Sequence, residues 1–321
     1  MSNPLNPCAI NHHSQQMKTQ ETITKSLMEK LWEGYCQRVT YAQQYADMVK
    51  AAGGNVVNDH CAFRTFNTFT GNQVAGIRAI EEVLESLGYE KISPYSFPSK
   101  HLNSFHYQHP TNINFPKFFV TQLEVKELSE EAQNLINEAV KDTPDLLKGE
   151  SRQLLATLKQ NKELISEEAD RLVETMVKFF TRPWQPAKKD TILALNKESQ
   201  FAAWTLLHGN SVNHFTAYIN HQNVPAWGDI EQTMAVLKEA GIPIKPEIEG
   251  VKGSKLRQSS TQAIDEDCQV VETDGSLTTL KWSYAYYELA ERGYLENDGR
   301  KVWFDGFLGE QATNLFEMTK R

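Results

Sequence analysis

The chain has 321 residues, a formal net charge of -8 and a pI of about 5.7. An acidic surface argues against nucleic acid and anionic membrane as main partners, because both require a basic face. No apolar run reaches the ~20 residues of a membrane span, and the cysteines lack the spacing of a zinc ribbon or a disulfide framework. These features favour a globular protein with free thiols in a reducing compartment, which we expect to be the cytoplasm.

Charge, glycine content and apolar spacing divide the chain into four predicted regions. The third region is rich in charged residues and helix formers and has almost no glycine, which predicts a helical insertion. The regions are a flexible N-terminal tail (1–19), an N-terminal helix with a first βαβββ-like module (20–126), the helical insertion (127–208), and a second βαβββ-like module with a C-terminal helix (209–321).

The second module is predicted to repeat the element order of the first. In chain order, the first has a helix over 20–52, a strand over 56–66, a helix over 73–87 and a strand over 118–125. The second has a strand over 212–220, a helix over 228–240 and strands near 268–273, 277–291 and 300–306. Strand, helix and then several antiparallel strands therefore occur twice, with little sequence identity between the copies.

Two histidines occupy matching places, one on the first strand of each module. His60 lies in the strand over 56–66. His214 shares a strand face with Thr216 and Tyr218, and such polar company favours a metal ligand over a core histidine. His208 is the rival to His214, but it precedes a glycine and is predicted in a loop.

A carboxylate that could join the histidines lies on the strand over 277–291. The residues that share its face by alternation are Trp282, Tyr284, Tyr286, Ala290 and Arg292. A lone buried carboxylate is costly unless it is paired or binds a metal. Glu288 therefore either joins His60 and His214 or pairs with Arg292 at a strand edge, and Glu124 is the alternative third ligand. Two histidines and one carboxylate suit non-haem Fe(II).

Arg64 lies four residues after His60 on the same predicted strand face, about 13 Å away along an ideal strand. A metal at His60 and a guanidinium at Arg64 could hold opposite ends of a short dicarboxylate, because the planar guanidinium matches a carboxylate with two hydrogen bonds. The alternative is a core histidine and a surface arginine.

Three segments resemble motifs of a known family. They are Asp59-His60-x-Ala62-Phe63-Arg64, Asn213-His214-Phe215-Thr216 and Tyr287-Glu288-x-x-x-Arg292. They resemble the 2-oxoadipate dioxygenase/decarboxylases (hydroxyglutarate synthases, formerly domain of unknown function 1338) of the vicinal-oxygen-chelate superfamily, and the resemblance covers roughly residues 25–316. The segment 309–317 also resembles the C-terminal helix of 4-hydroxyphenylpyruvate dioxygenase.

The resemblance implies an α+β fold, in which two βαβββ-type modules form a curved, half-barrel mixed sheet around a metal site, with a helical insertion between them. It implies Fe(II) bound by His60, His214 and Glu288, although these ligands also accept Zn, Mn, Ni or Co. Arg64 would be catalytic and bind a substrate carboxylate. The implied reaction uses O2 to convert a 2-oxo acid, 2-oxoadipate, to 2-hydroxyglutarate and CO2 in lysine catabolism.

Further candidate substrate-binding residues follow from the same resemblance. Ser259 stands where relatives place polar residues facing the substrate, although a serine-rich turn explains it equally well. Glu310 and Gln311 stand where relatives have a small apolar residue and then a hydroxyl. An acid there would repel a second substrate carboxylate unless only backbone N–H groups face the pocket. Asp59 and Asn213, each just before a ligand histidine, either orient that histidine or end a strand.

Two other functions fit the same residues. One is a glyoxalase-like, metal-dependent isomerase or lyase using Zn, Ni or Mn. The other is a non-catalytic module that binds a small acid. Bound metal and oxygen dependence would separate them from a dioxygenase. A hydrolase is disfavoured, because Cys61 and His60 are neighbours on a strand and face opposite ways. The sequence leaves the oligomeric state open.

Overall fold

The computed structural model describes residues 16–73 and 76–308. The helices in this part of the chain are α1 (Gln20–Arg38), α2 (Thr40–Ala51), α3 (Ile77–Ser86), α4 (Glu130–Val140), α5 (Glu150–Asn161), α6 (Ser166–Phe179), α7 (Lys189–Glu198), α8 (Gln200–His208) and α9 (Ile230–Glu239). Among these residues no helix has both the length and the apolar character needed to cross a membrane.

Thirteen strands occur in the described part of the chain. They are β1 (Met17–Thr19), β2 (Asn58–Phe66), β3 (Glu90–Phe97), β4 (Leu102–Gln108), β5 (Lys117–Leu123), β6 (Glu163–Ile165), β7 (Val212–Tyr218), β8 (Leu256–Ser260), β9 (Ile264–Val271), β10 (Leu277–Ala285), β11 (Glu288–Arg292), β12 (Tyr294–Asn297) and β13 (Arg300–Trp303).

Seven strands form one curled, half-barrel sheet in the order β3-β4-β5-β2-β7-β11-β8. The sheet has two halves that meet where β2 and β7 pair antiparallel. In each half the first strand pairs parallel with a later one, β2 with β5 and β7 with β11, and the remaining pairs are antiparallel. The predicted α+β fold with a mixed half-barrel sheet is confirmed.

Apart from the edge strand β3 and part of β4, the main sheet is buried on both faces, so it positions side chains for two separate cores. On β2, Cys61 and Phe63 belong to a core shared with α1, α2, α3, α6 and α9. Ala62 and Phe66 belong to a second core shared with α4, α7, α8 and the β9–β10 hairpin. Strand alternation explains the division, since successive residues face opposite sides. The second face also carries the polar residues described below.

Several predicted boundaries differ from the structure. The helix predicted over 20–52 is broken at Val39, whose backbone is not helical (φ -110°, ψ 82°) and which is fully buried between α1 and α2. The last residues of the predicted tail form β1, which pairs with β6 inside the predicted helical insertion. Pairing with residues far along the chain leaves no local sequence signal, so the spacing of apolar residues does not predict β1.

The strand predicted over 277–291 is two strands in different sheets. Among the strands that the structure describes, β10 pairs with β9 alone, and the chain then passes through Tyr286 and Tyr287 before β11 enters the main sheet. The shared face predicted for this segment is therefore wrong for its first half, because Trp282 lies in the second core and Tyr284 in the first. β12 and β13 form their own hairpin around the predicted turn at Asp298 and Gly299.

Candidate metal centre

His60, His214 and Glu288 come together in the middle of the sheet. They lie on adjacent strands, and one ligand atom from each lies within 4.8 Å of the others. His60 Nε2 is 2.9 Å and His214 Nε2 is 3.6 Å from Glu288 Oε2. All three side chains are buried, and Glu288 is fully so. The register explains the meeting, since Thr216 on β7 pairs with both His60 and Glu288.

Thr216 lies between the candidate ligands. Its hydroxyl donates to Glu288 Oε2 at 2.6 Å and lies 3.0 Å from His60 Nε2. The side chain faces the same way as His214, as strand alternation predicts. Thr216 therefore holds the Glu288 carboxylate beside the two imidazoles.

A β-bulge precedes His60. On β2 and β7 the paired residues change from Asn58–Ala217 to His60–Thr216, so Asp59 is an extra residue on β2. Its side chain is buried and one carboxylate oxygen lies 2.7 Å from His60 Nδ1. Bulges redirect side chains in this way. A carboxylate at Nδ1 fixes the ring so that Nε2 faces the other candidate ligands.

A second bulge precedes His214. Ala62 pairs with His214 and Phe63 with Val212, which leaves Asn213 as the extra residue on β7. Asn213 Oδ1 lies 3.1 Å from His214 Nδ1, and Tyr286 Oη lies 3.0 Å from the same nitrogen. In both halves of the sheet, therefore, the side-chain oxygen of a bulge residue contacts Nδ1 of the histidine that follows it.

The protonation states of the cluster suit a cation. Burial lowers the pKa of His214 to about 3, which keeps its imidazole neutral. Burial alone would raise the pKa of Glu288, but that pKa is lowered overall, so the carboxylate is ionised. We assign the lowering to His60 and Thr216, because His214 is neutral. Burial opposes the charged form of His60, but hydrogen bonds with Asp59 and Glu288 raise its pKa overall. A metal ion would take the place of that proton.

The donor atoms themselves fit a metal. His214 Nε2 and Glu288 Oε1 are buried and have no hydrogen-bond partner among the described residues. Buried polar atoms are rarely left without a partner, and a bound cation would satisfy both of these atoms. Two imidazoles and one carboxylate on one side of an ion leave further positions for substrate, which is the donor set of non-haem Fe(II) sites.

A cavity adjoins the cluster. His60, His214, Arg64, Thr121, Asn213 and Tyr286 supply its polar lining, and Ala62, Phe63, Phe119 and Phe307 supply its apolar lining. The cavity therefore contains both the candidate ligands and the predicted carboxylate-binding arginine.

Arg64 is buried, at 2% exposure, and lies against two rings of α8. Its guanidinium carbon is 4.9 Å from the centroid of Phe201 and 4.8 Å from that of Trp204. Burial lowers the pKa of Arg64 to about 10, so it stays charged at neutral pH. The alternative of a surface arginine is wrong, and α8 contacts Arg64, which lines the cavity.

Phe307 covers the metal-site end of the cavity. Its ring centroid is 4.9 Å from both the His60 and the Phe119 rings. Arg292 donates to the backbone oxygens of Phe304 and Gly306 in the same segment, at 3.2 and 2.8 Å. Phe307 thereby limits the access of water to His60.

Other predicted site residues lie elsewhere. Ser259 is on β8, where its hydroxyl donates to the Glu247 carbonyl at 2.8 Å, and the residue opposite Glu288 is Ser260. Glu124 accepts hydrogen bonds from Asn67 and Asn103, away from the histidines. Glu310 and Gln311 lie outside the described residues, as does the predicted C-terminal helix. The Glu288–Arg292 pair considered from the sequence is replaced by an Asp59–Arg292 pair.

His208 belongs to a different cluster. It ends helix α8 rather than lying in the predicted loop, and its Nδ1 is 3.1 Å from Glu266 Oε1. Cys268 Sγ lies 4.0 Å from His208 Nε2. Arg38 donates to both Glu266 oxygens, at 3.0 and 2.6 Å, and a guanidinium in that position repels a metal ion.

Sequence reasoning missed the residues that shape the cavity from a distance. Phe201 and Trp204 resemble ordinary core residues of an apolar helix, and Phe307 lies beyond the last predicted strand. The pairing of Arg292 with Asp59 joins residues from opposite ends of the described chain. The only available signal was that both residues fall inside the motifs quoted above.

Comparisons with known proteins agree on one family. The family described as 2-oxoadipate dioxygenase/decarboxylase matches residues 10–319. The chloroplastic/amyloplastic 2-oxoadipate dioxygenase/decarboxylase of Oryza sativa subsp. japonica is 26% identical over 94% of this chain and 80% of its own length.

Two solved structures have the same fold. A putative glyoxalase superfamily protein from Ralstonia eutropha JMP134 has a TM-score of 0.81 and 24% identity, over 92% of this chain and 88% of its own. The hydroxyglutarate synthase of Oryza sativa, solved with 2-oxoadipate, has a TM-score of 0.71 and 22% identity, over 99% and 97%.

Proposed function

The chain belongs to the 2-oxoadipate dioxygenase/decarboxylase family and is an enzyme, and on that premise we propose that it is an Fe(II)-dependent oxygenase of 2-oxo acids. The proposed substrate is 2-oxoadipate. It would react with O2 to give 2-hydroxyglutarate and CO2, as a step in lysine catabolism. One oxygen atom enters the new carboxylate and the other becomes the hydroxyl group, so the atoms balance without an added reductant.

The observation that carries the proposal is the shared cavity. His60, His214 and Glu288 face it from one end, with two buried donor atoms that lack partners among the described residues, and Arg64 lines it as well. Fe(II) bound there would supply electrons that activate O2 and a Lewis acid that polarises the keto group. Zn, Mn, Ni or Co could occupy the same donors in purified protein.

Charge balance favours a dicarboxylate over a monocarboxylate. Burial makes any net charge in the cavity costly. A divalent ion and the Arg64 guanidinium carry three positive charges, and Glu288 offsets one of them. A 2-oxo dicarboxylate supplies the other two negative charges, so the complex is neutral. The Asp59–Arg292 pair is neutral by itself and does not alter this balance.

The protein's own residues hold the reactants and exclude water. Arg64, supported by Phe201 and Trp204, would bind the substrate carboxylate remote from the metal with two hydrogen bonds. Asp59 and Asn213 fix the imidazoles with Nε2 toward the centre. Phe307 covers the reacting end.

Oxygen uptake tests the proposal. Protein loaded anaerobically with Fe(II) should consume O2 and release CO2 in equal amounts when 2-oxoadipate is added. His60→Ala and Glu288→Ala should lose both the bound metal and the activity. His101→Ala is a matched control, because His101 is exposed and pairs with Glu127 far from the cavity. A protein that binds metal stoichiometrically but consumes no O2 with any 2-oxo acid would contradict the proposal.

The proposed location is the cytoplasm or another reducing compartment. Cys36, Cys61 and Cys268 are all buried free thiols, which agrees with such an environment.

A further inference from the structure

The polar groups that line the cavity differ in their hydrogen bonding. Thr121 Oγ1 lies 2.7 Å from Ser104 Oγ, and Tyr286 Oη lies 3.0 Å from His214 Nδ1. Asn213 Nδ2 is also buried at the cavity, but it has no hydrogen-bond partner among the described residues. A buried donor without an acceptor is costly, so this nitrogen points to a ligand oxygen.

The bulge at Asn213 decides where this donor lies. Asn213 is the extra residue opposite the step from Ala62 to Phe63 on β2, so it lies alongside the stretch between His60 and Arg64. In a regular strand, residues 213 and 214 would face opposite sides of the sheet. The bulge instead allows both side chains to line one cavity.

His214 determines which way the amide faces. A metal on His214 Nε2 leaves the proton on Nδ1, which must then donate. Asn213 Oδ1 lies 3.1 Å from that nitrogen and can accept, whereas the amide nitrogen in that place would oppose donor to donor. Oδ1 therefore faces the ring and Nδ2 faces away from it.

Asp59, in the matching bulge, offers no such donor. One of its oxygens accepts from Arg292 Nε at 2.5 Å, and the other accepts from Arg292 Nη2 at 2.9 Å and lies 2.7 Å from His60 Nδ1. The two bulge residues therefore differ. Both carboxylate oxygens of Asp59 accept hydrogen bonds within the protein, whereas Nδ2 of Asn213 is available to donate to a ligand.

We propose that Asn213 is a substrate-binding residue whose Nδ2–H donates to an oxygen of the 2-oxo-carboxylate group at the metal, while Arg64 binds the remote carboxylate. The inference rests on the proposed function and adds a basis for substrate choice. A donor at this place accepts a 2-oxo acid but opposes the corresponding 2-amino acid, whose ammonium group would present a second donor.

Asn213→Asp tests this directly, because it keeps the oxygen that faces His214 and replaces the free donor with an acceptor of similar shape. The dissociation constants of 2-oxoadipate and 2-aminoadipate are measured by calorimetry on Co(II)-loaded protein without O2, after metal content is checked. We expect 2-oxoadipate to bind Asn213→Asp and Asn213→Ala at least about tenfold more weakly. The ratio of the dissociation constant of 2-aminoadipate to that of 2-oxoadipate should decrease most in Asn213→Asp.

Asn134→Asp is the matched control, since Asn134 is exposed on α4 and undergoes the same change of charge. If Asn213→Asp loses metal, Asn213→Ala decides the matter, because Tyr286 Oη still contacts His214 Nδ1 there. Equal binding of 2-oxoadipate by the unmodified protein and metal-replete Asn213 variants overturns this proposal and leaves the proposed function standing. An unmodified protein that binds no 2-oxo acid overturns both.

Discussion

Arg292 and Asp59 form a buried ion pair in which the guanidinium donates from Nε and Nη2 to the two carboxylate oxygens, at 2.5 and 2.9 Å. Both side chains have no solvent exposure. Arg292 lowers the pKa of Asp59 well below its usual value, although burial alone would raise it. Asp59 in turn contacts His60, so one ion pair connects a candidate metal ligand to the segment that carries Phe307.

Asp59→Asn should weaken both metal binding and stability. The loss of a carboxylate behind a ligand histidine typically costs about 10–100-fold in metal affinity. Arg292 would keep a buried, unpaired charge, so we expect the free energy of unfolding to fall by about 3–5 kcal/mol. Metal titration and urea unfolding measure the two effects.

The double variant Asp59→Leu/Arg292→Met separates the two effects. Removing both charges should restore much of the stability but not the metal affinity, because His60 still lacks its partner. If Asp59→Asn binds metal as tightly as the unmodified protein, Asp59 does not orient His60 as the distances suggest.

Arg64→Lys should raise KM more for a 2-oxo acid with a second carboxylate than for one without it. Lysine keeps the charge but loses the planar pair of donors and the contacts with Phe201 and Trp204. We expect KM for 2-oxoadipate to rise about 10–100-fold, which corresponds to about 1.4–2.8 kcal/mol. KM for 2-oxohexanoate, which lacks the second carboxylate, should change less than threefold. Steady-state oxygen uptake with both acids is the measurement, and an equal rise for both would show that Arg64 does not select the second carboxylate.

Metal should stabilise the folded protein through the predicted ligands. An ion at about a thousand times its dissociation constant contributes about 4 kcal/mol, which raises Tm by about 5–10 °C for a chain of this size. Addition of Co(II) to chelator-treated protein, followed by thermal unfolding, measures this shift. His214→Ala and Glu288→Ala should abolish it, whereas His221→Ala should not. An undiminished shift in the ligand variants would place the metal elsewhere.

The Arg38–Glu266 pair should make stability fall in acid. Burial raises the pKa of Glu266, but His208 and Arg38 outweigh it and lower that pKa to about 2. We assign the lowering mainly to Arg38, because burial also lowers the pKa of His208 and keeps it neutral. A carboxyl with a lowered folded-state pKa contributes stability above its unfolded pKa of about 4.5, and this contribution is lost as pH falls toward 2.

The free energy of unfolding of Glu266→Gln should therefore fall less between pH 6 and pH 3 than that of the unmodified protein, by about 1–2 kcal/mol. This figure allows for the partial solvent exposure of the Arg38–Glu266 pair. Urea unfolding at a series of pH values measures this. Glu272→Gln is the control, because Glu272 forms a more exposed pair with Lys189. Identical pH profiles for Glu266→Gln and the unmodified protein would contradict the assignment.

The arrangement of the site was partly predictable from the sequence. Strand alternation put His60 and Arg64 on one face, and both line the cavity. The repeated element order predicted that His214 would occupy the matching strand, and β2 and β7 are neighbours. That these residues and Glu288 bind a metal stays a prediction.

The features of the site that the sequence could not predict depend mainly on the register in which the strands pair. The bulges at Asp59 and Asn213 exist only because β2 and β7 pair with a shift of one residue at each place, which no local pattern encodes. The same limit applies to Ser259, since the pairing of β8 with β11 puts Ser260 opposite Glu288. Phe201 and Trp204 lack a signal too, because a helix that is buried on nearly every side has no face that marks a contact with Arg64.

The distribution of His60, His214 and Glu288 over three strands has a consequence for biosynthesis. None of these residues is near another in the chain, so no short peptide can chelate the ion before the sheet closes, unlike in a zinc finger. Long-range strand pairing is slow, and β11 is among the last strands in chain order. The apoprotein should therefore fold first and acquire its metal afterwards, so protein made while the metal is scarce would accumulate as a folded reserve that the metal can activate later.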